Sequence, residues 1–276
     1  VILRTVPQLM EPKRILYVAQ SMHPYLSETI LADHALAFPK RMNELGNEVR
    51  VFMPRYGNIN ERRHQLHEVI RLSGMNVVIN DMDQPLIIKV ASIPQARLQV
   101  YFIDNDEYFK RKGDLVDAAG TLYEDSDERA LFFSKSVIET IKKLGWKPDV
   151  VHVMGWMCSP MPLYIKQFNA TDAHFADVKV VVSLYDTDAF AGQLGSKLPA
   201  GMHYDGAQSM EAFEQPTYEN LQCGAVRYAD AVLTMTDSPS EHAVKVAQEL
   251  GVPVSDGRPF AADPSGLKAF YESLFA

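Results

Sequence analysis

A chain of 276 residues, 47% of them hydrophobic, can bury one large core or two modest ones, and its composition gives no sign of disorder or repetition. Its 35 Asp and Glu outnumber 27 Lys and Arg for a formal charge of -8, which argues against nucleic acid as partner because phosphate recognition rests on a basic surface. No apolar run approaches the roughly 20 residues that span a bilayer, and residues 1–9 are too short and interrupted for an export signal, so no membrane contact is expected.

Residues 1–12 read as a flexible lead-in outside the fold. Residues 14–57 then hold a complete βαβ unit. A β-prone run over 14–20 and an alternating run over 48–54 flank a helix whose Leu31, Ala35, Phe38, Met42 and Leu45 share one face, with Gly46 placed to end it. The loop at the carboxyl end of the first strand, residues 21–30, is where open α/β sheets bind ligands. Asn60 is positioned to cap a helix over 62–70, and short strands over 76–79 and 86–91 follow as a meander or insertion. Residues 98–105 form a further strand, and 113–121 read as a loop. Asp125, with Glu128 three residues on, resembles a capping box that opens a helix ending at Lys142, Lys143 and Gly145.

From Asp149 the pattern alternates regularly: strands over 149–155, 178–185 and 230–236, helices over 160–168, 217–228 and 240–250. Strands apolar on both faces and separated by helices predict an α/β fold with a doubly wound, mostly parallel, Rossmann-like sheet over 13–252. Residues 253–276 form a polar tail in which Leu267, Phe270 and Leu274 line one face of a short helix, suited to docking on the domain or on a second subunit.

Loops at strand carboxyl ends should ring one crevice: 21–33, 154–159 and 185–190, with Asp104, Asn105 and Asp125 beside them. Trp156, an indole next to Gly155, offers a flat apolar face of the kind sugars stack on, although a lone Trp equally serves core packing. Asp186-Thr187-Asp188 has the DxD pattern by which some sugar-nucleotide transferases hold a metal, but a lone DxD is common by chance. His64 and His67 lack a third ligand and read as surface or cap histidines. Cys158 and Cys223 form no CxxC pair, which predicts buried thiols in a reducing cytoplasm. No GxGxxG, Walker loop, GxSxG or HExxH occurs, so dinucleotide and P-loop chemistry are disfavoured.

Taken together, Pro24-Tyr25, Leu31, Asp33, Phe38-Pro39, the run from Leu45 to Val51 and Met53-Pro54-Arg55-Tyr56-Gly57 resemble the amino-terminal domain of bacterial glycogen and starch synthases. The run from Val100 to Asp104, the stretch 123–129, Pro148-Asp149-Val150-Val151-His152, Trp156, Pro162-Leu163-Tyr164 and the stretch 224–236 extend the resemblance, which spans roughly 13–252. It implies one half of a GT-B fold and retaining, metal-free transfer of glucose from ADP- or UDP-glucose to an α-1,4-glucan, with no cofactor. The implied cleft comprises Ser27, Glu28, Thr29, Ile30, Asp33, Asp104, Asp125, Met154, Gly155, Trp156, Tyr185 and Asp186.

Departures concentrate in that cleft. Where the family has Lys-Thr-Gly-Gly, this chain has Ser27-Glu28-Thr29-Ile30, which removes a cation, adds an anion and replaces glycines by β-branched residues. A carboxylate about 4 Å from a phosphate charge costs about 4 kcal/mol at an effective dielectric near 20, several hundredfold in affinity. The family's His-Asp-Trp-His becomes Met154-Gly155-Trp156-Met157, and its His-Asn becomes Tyr185-Asp186. The family's second domain, with the Arg and Lys that neutralise the leaving diphosphate, has no counterpart in these residues. Three functional expectations follow: a synthase half that needs a partner chain, with Asp33, Asp125 and Trp156 contacting glucan; a non-catalytic protein binding α-glucan or maltooligosaccharide; or a homodimeric scaffold joined through residues 267–275.

Overall fold

The computed structural model describes residues 11–276, so most of the expected lead-in lies outside the described residues. The described residues form ten strands: β1 (Arg14–Ala19), β2 (Glu48–Pro54), β3 (His67–Glu68), β4 (Met75–Ile79), β5 (Met82–Ile93), β6 (Leu98–Asp104), β7 (Val150–Met154), β8 (Lys179–Leu184), β9 (Ala231–Thr234) and β10 (Val254–Asp256). Their order is β10-β9-β8-β7-β1-β2-β6-β5-β3, with β4 paired to β5 alone. From β10 through β6 every neighbouring pair is parallel, while β3, β4 and β6 run antiparallel to β5.

The chain leaves β1 in one direction through β2 and β6 and returns to lay β7 on the other side of β1. Loops after β1 and β7 therefore diverge, and the gap between them is the topological switch point where such sheets bind ligands. Central strands need no alternation because helices cover both faces: Leu16, Tyr17, Val18 and Ala19 are all buried, as are all five residues of β7.

Helix α1 (Ile30–Glu44) starts where the Thr29 hydroxyl accepts from the Ala32 amide at 3.0 Å, buries Leu31, Ala35, Phe38 and Met42, and stops before Gly46, whose φ of +88° suits the left-handed region. The Ser126–Leu144 helix also forms, but Asp125 makes no capping bond. Both of its carboxylate oxygens accept from the one Arg111 Nη2, at 2.8 and 2.7 Å, and the ion pair replaces the expected capping box.

Two other expectations need correction. The helix over 62–70 is one turn, Glu61–His64; Asn60 caps it, but Gln65 adopts φ +54° and the chain turns into β3, whose pairing with β5 satisfies backbone groups that a helix would have used. Residues 160–168 form a short α turn, Met161–Leu163, that widens into a π turn, Tyr164–Phe168. The Lys197–Asp205 helix carried no clear sequence signal.

The carboxyl-terminal helix, Gly266–Ser273, lies against the domain with Leu267 and Tyr271 fully buried. The Tyr271 hydroxyl sits 2.6 Å from His152 Nδ1 and 2.9 Å from the Tyr17 hydroxyl, while His152 Nε2 meets Ser183 Oγ at 2.6 Å. Strands β1, β7 and β8 are thus tied to the last helix by one buried polar chain. Burial, reinforced by the nearby His34, pushes the His152 pKa down to about 3, so the imidazole is neutral. Of the expected apolar face, Leu267 packs into the domain, while Phe270 and Leu274 are half-buried against it and Phe275 stays exposed.

Candidate functional site

A cavity of about 660 Å³ opens at the carboxyl ends of β1 and β7. Gln20, Ser21, Leu26, Ser27 and Thr29 form one wall, and the loop containing Asp114, Leu115, Val116, Gly120, Thr121 and Leu122 forms the opposite one. Trp156 and the segment Asp188, Ala189, Phe190, Ala191 and Gln193 complete it.

Gln20 organises the floor. Its backbone amide donates to Met154 oxygen at 3.1 Å, extending the β1–β7 pairing by one residue. Its side-chain oxygen accepts from the Met157 amide at 3.2 Å, and its Nε2 donates to Asp188 Oδ2 at 2.8 Å. Gly155, at φ +100°, lies so close that any Cβ there would overlap the Gln20 amide. Where the synthase pattern has an aspartate at this position, the space belongs to Gln20. Desolvation raises the Asp188 pKa above the usual carboxylate range, with Gln20 opposing and the Asp114 charge adding to the rise.

The opposite wall hangs on Arg129. This guanidinium is 1% exposed, donates to the Asp114 carbonyl at 2.7 Å and lies 5.0 to 5.5 Å from the rings of Tyr123, Phe109 and Tyr56. Its Nε and Nη1 have no protein partner, and burial lowers its pKa.

Aromatic groups divide the remaining work. Trp156 is 3% exposed and meets the half-buried Phe190 in a T-shaped pair at 5.2 Å, so both rings border the cavity but Phe190 presents more of its surface there. Behind them lies a recess of about 20 Å³ that shares Gln20, Trp156 and Asp188 with the larger cavity. Trp156 Nε1, Ser159 Oγ and Gln222 Oε1, all buried without a protein partner, belong to residues lining it, and its volume suits a single hydroxyl or water.

Of the expected cleft residues, Ser27, Thr29 and Trp156 line the cavity, and Gly155 and Tyr185 line the recess. The others do not meet there. Glu28 points to solvent, 78% exposed and 3.9 Å from His23 Nδ1, while Ile30 and Asp33 are exposed on the first turn of α1. Asp104 is buried in ion pairs with Arg55 at 3.0 Å and Lys89 at 3.1 Å, Asp125 is held by Arg111, and Met154 is core. In the DxD, Asp188 and not Asp186 faces the cavity. Gln20 and Asp114 were missed as site residues, and Asp188 and Phe190 were anticipated only as members of the loop 185–190 and, for Asp188, of the DxD. Among the described residues, no group of three or more His, Cys, Asp or Glu is placed to hold a metal ion, and no helix is long and apolar enough to cross a membrane. Both cysteines are free and buried.

The family model for the starch synthase catalytic domain matches residues 14–247. The chain belongs to the starch synthase catalytic-domain family. As a member of it, the chain is 38% identical over 174 residues to a glycogen synthase of Chlorobium limicola, covering 63% of this chain and 36% of that protein. A glycogen synthase of Chlorobaculum tepidum is 34% identical over 233 residues, 81% of this chain and 46% of that one. The chain therefore spans less than half the length of these relatives. The catalytic domain of starch synthase IV from Arabidopsis thaliana, solved bound to ADP and acarbose, superposes with a TM-score of 0.72 at 15% identity, over 89% of this chain and 51% of that one, which shows a shared GT-B-type fold.

Proposed function

We propose that these residues form the glucan-holding half of a synthase-type glucosyltransferase: the cavity takes a neutral α-glucan or maltooligosaccharide, and transfer from ADP- or UDP-glucose needs cations supplied from outside it. The observation that carries this reading is the charge of the cavity. Among the described residues its lining contains two carboxylates, Asp114 and Asp188, and no Lys, Arg or His. A sugar nucleotide would bring a diphosphate toward Asp188, whereas a neutral sugar offers hydroxyls to the carboxylates, to Gln20 and Gln193, and to Ser21, Ser27 and Thr121. Phe190 supplies the apolar surface against which a ring can lie. Arg129, nearby but buried outside the lining, gives one donor to the Asp114 carbonyl and packs against three rings, with its Nε and Nη1 unpartnered among the described residues.

The names of the curated relatives support glucan chemistry, and the ADP and acarbose in the starch synthase IV structure support both ligand classes for that protein. Donor-binding groups would come from a further domain or a partner chain, in the cytoplasm and without a metal. Calorimetric titration of the purified chain should show maltopentaose binding, weakened about fivefold to tenfold by Phe190→Ala, and no heat with ADP-glucose. Radiolabelled glucose transfer by the isolated chain, or tight ADP-glucose binding, would overturn the proposal.

A further inference from the structure

The loop after β1 has two flanks. Leu26, Ser27 and Thr29 face the cavity described above, but Pro24 and Tyr25 face another concavity of about 340 Å³ at the antiparallel end of the sheet. There Arg63 and His64 from the one-turn helix, His67 from β3, and Ser92 after the middle of β5 converge, with Pro24, Ile93 and Pro94 as an apolar wall. The helix that would have carried His64 and His67 on one face is broken at Gln65, and the break brings both imidazoles to this concavity.

We propose that this concavity is a binding site for a phosphate monoester on a compact body such as a hexose. Three observations carry it. Among the described residues its lining contains a guanidinium and two imidazoles but no carboxylate, on a chain whose formal charge is -8. Among the described residues, Arg63, His64 and His67 form no ion pair and their side chains make no hydrogen bond, unlike Arg55 and Lys89 close by, which pair with Glu61 and Asp104. The Tyr25 hydroxyl, on a side chain 6% exposed and edge-on to His64 at 4.9 Å, is buried without a partner in the protein.

Surrounding carboxylates are engaged or turned elsewhere. Glu61 is held by Lys89 at 2.7 Å and Arg55 at 3.3 Å, Glu28 lies 3.9 Å from His23, and Glu68 is exposed and outside the lining. An anion with several acceptor oxygens can take the Arg63 fork, the imidazole N–H groups and the Ser92 hydroxyl together, with the buried Tyr25 hydroxyl beneath them, which a monovalent carboxylate fills less completely. The volume exceeds what a phosphate alone occupies, and the proline and isoleucine wall suits the carbon face of a sugar ring.

The site is independent of the glucan reading and is tested separately. The full chain is titrated calorimetrically in low-salt buffer with inorganic phosphate, a hexose 6-phosphate and the unphosphorylated hexose. The hexose phosphate should bind at least tenfold tighter than either fragment, and the Arg63→Ala/His67→Ala double variant should lose at least tenfold of that affinity. Two histidine ring resonances should shift in the proton NMR spectrum during the titration. Absence of binding, binding unchanged in the double variant, or displacement of the hexose phosphate by maltopentaose would overturn the proposal. Binding of inorganic phosphate as tight as the hexose phosphate would overturn the assignment of a sugar to the apolar wall.

Discussion

Replacing Gln20 by Glu keeps the side-chain shape and changes the single group that faces Asp188. The Gln20 Nε2 donates to Asp188 Oδ2 at 2.8 Å in a partly buried setting, so the variant puts a second carboxyl at that distance. Two full charges 2.8 Å apart repel by about 6 kcal/mol even at an effective dielectric near 20. The pair therefore keeps one proton, with an O–H in place of the N–H, and its folded pKa rises above the unfolded value of about 4. A carboxyl whose folded pKa is raised has its full stability below the unfolded pKa and loses it as pH rises toward the folded pKa. The loss is about 1.4 kcal/mol per pH unit, or about 4 kcal/mol by pH 7 if the pair still holds its proton there. Urea denaturation of Gln20→Glu and wild type at intervals from pH 5 to pH 8 measures this directly. The variant should approach wild type at pH 5 and fall away as pH rises. Equal stability across that range would show that the Gln20 amide and Asp188 are not partners, and the account of the cavity floor would fail with it.

Gly155→Ala should destabilise by about 3 kcal/mol, combining the strain of φ +100° with overlap on Gln20, and the penalty should shrink by more than about 1 kcal/mol in a Gln20→Ala background. A double-mutant cycle in urea that gave simple additivity would separate Gly155 from Gln20. Tyr271→Phe should cost about 2–4 kcal/mol, because it strands His152 Nδ1 and the Tyr17 hydroxyl in the core. In the wild type, His152 has a folded pKa of about 3, below the unfolded value near 6.5, so its contribution is full above pH 6.5 and is lost as pH falls toward 3. The urea midpoint should already decline between pH 6.5 and pH 5, above the range in which most carboxylates titrate; a flat profile there would contradict the neutral, buried imidazole.

The βαβ unit at the start of the chain was legible because Leu31, Ala35, Phe38 and Met42 face one core and Gly46 closes the helix, all within local spacing. The sheet's parallel half was legible for the same reason, since strands apolar on both sides have few other places to go. The candidate site was less so. Gln20 and Asp188 are 168 residues apart, and nothing local to either announces the other. Local rules named Asp125 a cap, but Arg111 competed for the carboxylate and won. Residue type left Trp156 open between sugar platform and core packing, and only the tertiary structure shows an indole 3% exposed against Phe190. The expected loops 21–33, 154–159 and 185–190 all border the cavity, but the wall at 114–122 was not anticipated, and which side chain of each loop faces inward depends on tertiary contacts that local pattern does not encode.

The sheet's borders have a consequence for assembly. One end is the three-residue β10 and the other the two-residue β3, while the β4 carbonyl of Val78 is taken by the Lys135 ammonium at 2.8 Å. Such short or occupied margins offer a neighbouring polypeptide little backbone to continue. Strand addition is thereby disfavoured at the two ends of the sheet, and a macromolecule that approaches either end meets side chains more than open backbone.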